Sequence, residues 1–134
     1  METHKIVVRF LNGRVTKGHT TNFSPTAPHF VLTPVDTHPS PRPELVELNM
    51  LKAVFFVRDF AGNRAYHDKK DFVSGQPYKG HKVQVEFADG EVMMGYTPNY
   101  DCSLLGFFIF PADPDSNALR VFVVNSSVKS VRLL

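Results

Sequence analysis

FLNGRVTKGHTTNF, Phe10 to Phe23, returns further along the chain as FADGEVMMGYTPNY, Phe87 to Tyr100. Both stretches keep two glycines five residues apart, Gly13 and Gly18 against Gly90 and Gly95, while most of the charges around them change. Working outward, residues 4–54 lie over residues 81–131 at a constant offset of 77 with no gap, and 15 of the 51 pairs are identical. Chance would give about three, so the chain reads as an internal duplication. His4-Lys5 recurs as His81-Lys82, Phe30 as Phe107, Pro34 as Pro111, Asp36 as Asp113, Lys52 as Lys129 and Val54 as Val131.

Each copy reads as all-β. KIVVRF and KVQVEF place Ile6, Val8 and Phe10, or Val83, Val85 and Phe87, on one face, the period of two of a half-buried strand. Asn12-Gly13 and Asp89-Gly90 follow, pairs favoured in tight hairpins whose two central residues have positive φ. Gly18 and Gly95 fall within the returning strand, where a glycine marks a bulge or bend. The third strands are HFVLTPV and GFFIFPA, the fourth ELVEL and LRVFVV, the fifth LKAVFFV and VKSVRLL. Five strands with a bent second one predict a small closed barrel of Sm or SH3 type in each copy. The expected organisation is a first barrel over 4–54, a partly strand-like bridge over 55–80 and a second barrel over 81–134.

Composition bounds the rest. The 134 residues are 43% hydrophobic and 21% charged, ordinary values for a globular chain. No apolar run reaches the roughly 18 residues of a membrane-spanning helix, METHKIVVRF lacks the order of a secretory signal, and Cys102 is the single cysteine. These features predict a cytoplasmic protein with no membrane partner. The net charge of +2 divides as +2 over 1–54, +2 over 55–80 and −2 over 81–134, short of the dense cationic stripe of a strong nucleic-acid binder.

Three resemblances follow from particular residues. VVRFLNGRVTKGHTTNF is similar to the first segment of Sm-like proteins, with its alternating strand, glycine turn and second glycine. The resemblance implies a small barrel and an RNA-binding alternative. The chain lacks that family's Asp-x-aromatic/Met-Asn element and its Arg-Gly signature; Asn49-Met50 and Ser126-Ser127 stand in the latter place. LKAVFFVRDFAGN, FADGE and GFFIFPADPDSNALRVFVV together resemble a bacterial domain family of unknown function found beside signalling domains, which implies no assigned chemistry. Asn22 and Ser24 in GHTTNFSPTAPHFVL resemble part of the Asn/Asp-x-Ser-x-x-Gly segment of PilZ domains, which would imply a cyclic dinucleotide ligand, but Ala27 replaces the glycine.

Candidate chemistry is sparse. The six histidines show neither His-x-His nor His-x3-His spacing, and Asp113, Asp115 and Asn117 open like a calcium loop without its glycine and glutamate. Turn capping accounts for those three better. No phosphate loop, carboxylate pair or cofactor motif stands out, so neither an enzyme nor a cofactor nor a metal is expected. Arg9, Arg14, Lys17, Lys69 and Lys70 are the candidate nucleic-acid contacts, yet the first three become Glu86, Glu91 and Met94 in the second copy. Alternation cannot bury all of GFFIF in one small barrel, so the surplus faces the other barrel, the bridge or a partner.

The sequence therefore predicts a non-enzymatic binding or adaptor module with a protein partner. Tyr100, Leu105, Phe108, Asp113, Asp115 and Asn117 are its candidate contacts. RNA is the alternative ligand, and an open strand edge offers a route to self-association.

Overall fold

A computed structural model describes residues 3–35, 42–60, 80–98, 100–101, 103–113 and 115–134. Ten strands follow one another: β1 His4–Phe10, β2 Val15–Thr20, β3 His29–Pro34, β4 Glu44–Glu47, β5 Leu51–Val57, β6 His81–Phe87, β7 Val92–Thr97, β8 Gly106–Pro111, β9 Ala118–Val124 and β10 Val128–Leu133. Three-residue 3-10 turns, Leu48–Met50 and Asn125–Ser127, link β4 to β5 and β9 to β10. Among the described residues no helix is long and apolar enough to cross a membrane.

The two hairpins begin alike. Phe10 N–H donates to the Arg14 carbonyl at 2.9 Å and Gly13 N–H to the Phe10 carbonyl at 3.1 Å; Phe87, Glu91 and Gly90 repeat this at 2.8 and 2.9 Å. Gly13 and Gly90 have φ of +91° and +94°, but Asn12 and Asp89 do not enter positive φ. The expected turn with two positive-φ residues is therefore a three-residue loop with one left-handed glycine. The preceding side chain explains the difference: Asn12 Oδ1 accepts the Arg14 N–H at 2.9 Å and Asp89 Oδ1 the Glu91 N–H at 3.0 Å. That local hydrogen bond holds the Asn or Asp in an ordinary conformation.

Gly18 and Gly95 sit where the second strand of each hairpin has neighbours on both sides. Gly18 pairs with Ile6 and Pro34, Gly95 with Val83 and Pro111. A Cβ on Gly95 would stand 2.3 Å from the Phe110 carbonyl oxygen, and one on Gly18 2.5 Å from that of Thr33. The backbones are too close there for any side chain.

The strands form one antiparallel sheet in the order β10-β6-β7-β8-β9-β5-β1-β2-β3-β4. Its two halves have the same internal order, fifth-first-second-third-fourth. They meet where β5 pairs with β9, Ala53 opposite Val123, Val54 opposite Phe122 and Phe55 opposite Val121. The sheet is open, where the sequence predicts two closed barrels. The fifth strand of the first half bonds on both sides, to β1 and to β9, so the two sets of strands run into one another.

Alternation along the seam strands divides the core. Ile6, Val8, Phe30, Leu32, Leu51, Val54 and Phe56 bury together with Phe122 and Val124 from the other half. Val83, Val85, Phe87, Phe107, Ile109, Val121 and Val123 bury together with Ala53. Each half thus lends side chains to its neighbour's core, which accounts for the apolar surplus in the third and fourth strands of the second half. Of the bridge, residues 55–57 extend β5, and 61–79 lie outside the described residues.

Candidate interaction site

The seam carries a charged cluster on one side. Lys52, at the start of β5, is buried to 9% exposure and reaches out to the β6–β7 hairpin. Its Nζ donates to Asp89 Oδ2 at 2.7 Å and to Glu91 Oε1 at 2.5 Å, and lies 4.7 Å from the centre of the Phe87 ring. Burial pulls the Lys52 ammonium down, but the hydrogen bonds to the two carboxylates outweigh it and hold the group above its ordinary value. The hydrogen bond from Lys52, then that from the Glu91 N–H, holds the Asp89 carboxyl below its ordinary value. Ser127 Oγ donates to one of two buried carbonyls, Lys52 O at 2.8 Å or Val124 O at 2.7 Å, tying the 3-10 turn to β5.

Arg9 adds to this cluster. Its guanidinium stands 3.8 Å from Glu91 and 5.0 Å from the centre of the Phe55 ring. Its Nε is buried without a hydrogen-bond partner, a cost of roughly 1–3 kcal/mol.

Glu91 also borders a groove of about 510 Å³ lined by Phe55, Val92, Met93, Met94, Pro111 and Val121, together with the buried polar Asp113 and Ser116. The lining is chiefly apolar, and the two methionines are half-buried. Thioether side chains are unbranched and polarizable, so they adapt to irregular apolar guests. In the first half, Thr16 and Lys17 occupy the positions of Met93 and Met94. Lys17 Nζ there donates to the Phe60 carbonyl at 2.8 Å.

The residues singled out by sequence fall into different places. Asp113 is buried at the groove, and its Oδ1 accepts the Asp115 N–H at 2.9 Å, the turn-capping role; Asp115 itself is exposed. Asn117 clamps the far end of the seam: its Nδ2 donates to the Asp59 carbonyl at 2.8 Å, and its Oδ1 accepts the Asp59 N–H at 3.1 Å. Phe108 is half-buried beside Phe23, Phe56 and Phe122, with the Arg120 guanidinium 4.6 Å from its ring centre and 4.4 Å from that of Phe56. Tyr100 packs edge-on against Phe107 at 4.8 Å. Leu105 is exposed, next to Leu104. These six therefore do not form one patch; only Asp113 lines the groove.

Of the cations considered for nucleic acid, the three among the described residues are engaged. Arg14 makes a two-pronged contact with Glu44 at 2.6 and 2.8 Å and lies over the Phe10 ring at 4.4 Å. Arg9 and Lys17 have the partners given above, and Lys69 and Lys70 lie outside the described residues. Sequence reading passed over Lys52, Phe55, Met93 and Met94. The substitution of Met93-Met94 for Thr16-Lys17 between the repeats was the visible signal for the groove.

A family model covers residues 2–134, nearly the whole chain. The chain belongs to the family of unknown function DUF6982. Membership agrees with the family resemblance carried by LKAVFFVRDFAGN and GFFIFPADPDSN, and it assigns no chemistry to the DUF6982 groove or to its charged seam. No curated protein and no solved structure matches the chain.

Proposed function

We propose that the chain is a non-enzymatic binding module for a protein partner, built from two Sm- or SH3-like five-stranded units that arose by duplication. The supporting observation is the chiefly apolar groove over Phe55, Met93, Met94 and Pro111. Its volume suits one or two apolar side chains of a partner segment, and its half-buried methionines can adapt to them. The engaged state of Arg9 and Arg14, both beside carboxylates, weighs against a face that tracks phosphates.

The test is capture of partner segments from a peptide display library by the purified chain. Selected segments should share an apolar anchor, and Met94→Glu, at a groove methionine outside the two buried cores, should abolish their capture while leaving the fold intact by circular dichroism. Salt-sensitive retention of single-stranded RNA, lost on joint neutralisation of Arg9, Arg14 and Lys17, would replace this reading by the RNA alternative.

A further inference from the structure

We infer that the two free edges of the sheet, β4 and β10, pair with each other between molecules, joining copies of this chain head to tail. The inference rests on the duplication reading, because it transfers the β5·β9 seam by 77 residues. Under that shift β5 becomes β10 and β9 becomes β4. The inner seam is thus one instance of a joint whose two halves are presented again, unused, at opposite ends of the same sheet. Among the described residues no strand pairs with the outer side of either β4 or β10.

Exposure separates the used joint from the unused one. Phe122 is 0% exposed in the inner seam, and its counterpart Leu45 is 61% exposed. Phe56 and Val57 are 3% and 8% exposed, and their counterparts Leu133 and Leu134 are 61% and 54% exposed. Apolar side chains that serve as seam residues inside the chain are therefore bare at its ends. Phe122 packs on Phe23 at 5.1 Å, and Tyr100 holds the position of Phe23 in the second half. Leu45 of a second copy would settle against Tyr100, Val131 and Leu133.

Two of the shifted charge pairs are complementary. In the inner seam Arg9 faces Glu91. The shifted positions are Glu86 and Arg14, the same pair with its signs exchanged. The pairing of Phe55 with Val121 becomes Arg132 with Glu44, another cross-strand pair of opposite sign. Arg14 and Glu44 already bond to each other within one chain, so the joint would extend that pair rather than partner free charges. Three features make the outer joint weaker than the inner one. Lys129, in the place of Lys52, meets Asn12 where Lys52 has Asp89 and the like-charged Arg14 where Lys52 has Glu91, and Pro43 has no N–H to offer the ladder.

A joint between unlike edges is heterologous, so repetition gives a ring if the rotation closes and a filament if it does not. The test is sedimentation equilibrium of the whole chain over a concentration series, with Leu45→Lys to block β4 and Leu133→Lys to block β10. Both substituted side chains are exposed in the monomer, so folding is preserved. Wild type should show mass above the 15.1 kDa monomer, rising with concentration. Each variant alone should be monomeric at those concentrations. Mixed together they should form a one-to-one dimer, since each keeps the edge that the other has lost.

A wild type that stays monomeric at millimolar concentration overturns the inference, as does association that survives both variants. Loss of association in only one variant also overturns it, because that marks a two-fold joint between like edges. A disulfide trap separates the inference from the reading beneath it. In a Cys102→Ser background, Leu45→Cys on one copy should cross-link with Val131→Cys on another, the partners that the shifted register sets opposite. Edge-dependent association without that cross-link retains the joint but removes the duplicated register.

Discussion

Val54 of β5 stands directly opposite Phe122 of β9, and both side chains are fully buried although they come from different halves of the sheet. Phe122 also stacks edge-on with Phe23 and Phe108, each at 5.1 Å. Phe122→Ala should therefore cost about 3–5 kcal/mol. Both halves should lose protection together, so urea unfolding followed by circular dichroism and by hydrogen exchange should give a single shifted transition. Selective loss of protection in β6–β8 alone would show that the seam does not couple the halves.

Gly90 and Gly95 should respond differently to the same change. At Gly90 nothing lies within 4 Å of an added Cβ, and only the φ of +94° resists it; Gly90→Ala should cost about 1–2 kcal/mol. At Gly95 the Cβ would overlap the Phe110 carbonyl oxygen. Gly95→Ala should cost about 3 kcal/mol or more, and thermal melts of the two variants side by side give the comparison.

Arg120 lies over both Phe56 and Phe108. Arg120→Ala should lower stability by roughly 1–2 kcal/mol through the lost cation–π contact, and Arg120→Lys should recover only part of it because the planar fork stacks better than an ammonium. An Arg120→Ala variant as stable as wild type would mean that the two rings hold each other without the cation.

The Lys52 cluster gives stability a defined pH window. The Asp89 carboxyl is held below its ordinary 3.8, so its contribution is complete above that pH and fades as pH falls through the depressed value. The Lys52 ammonium is held above its ordinary 10.5, so its contribution is complete below that pH and fades as pH rises through the raised value. Asp89→Asn should unfold at a lower urea midpoint than wild type at neutral pH, and the gap should close in acid. A gap independent of pH would assign the effect to packing rather than to charge.

Much of the architecture was legible from spacing alone. The alternation in KIVVRF and KVQVEF, the prolines that stop β3 and β8, and the glycine positions at 13, 18, 90 and 95 are local signals. Each reflects a constraint within a few residues, and the ten strands fall where those signals put them. The offset of 77 also predicts the shared register: His4 opposite Thr20 recurs as His81 opposite Thr97. The turn geometry was not legible, because Asn-Gly and Asp-Gly suit both the two-residue turn and the three-residue loop that the side-chain hydrogen bonds of Asn12 and Asp89 accompany.

What the sequence determined by itself is an all-β chain, the boundaries of its strands and the pairing of neighbours within each repeat, since these depend on short-range patterns. Tertiary structure alone decided that β5 joins β9, that Lys52 is buried between Asp89 and Glu91, and that Met93 and Met94 line a groove. Those outcomes bring together residues far apart in the chain, and they follow from which strand edge and apolar face remained to be covered. No local pattern records that.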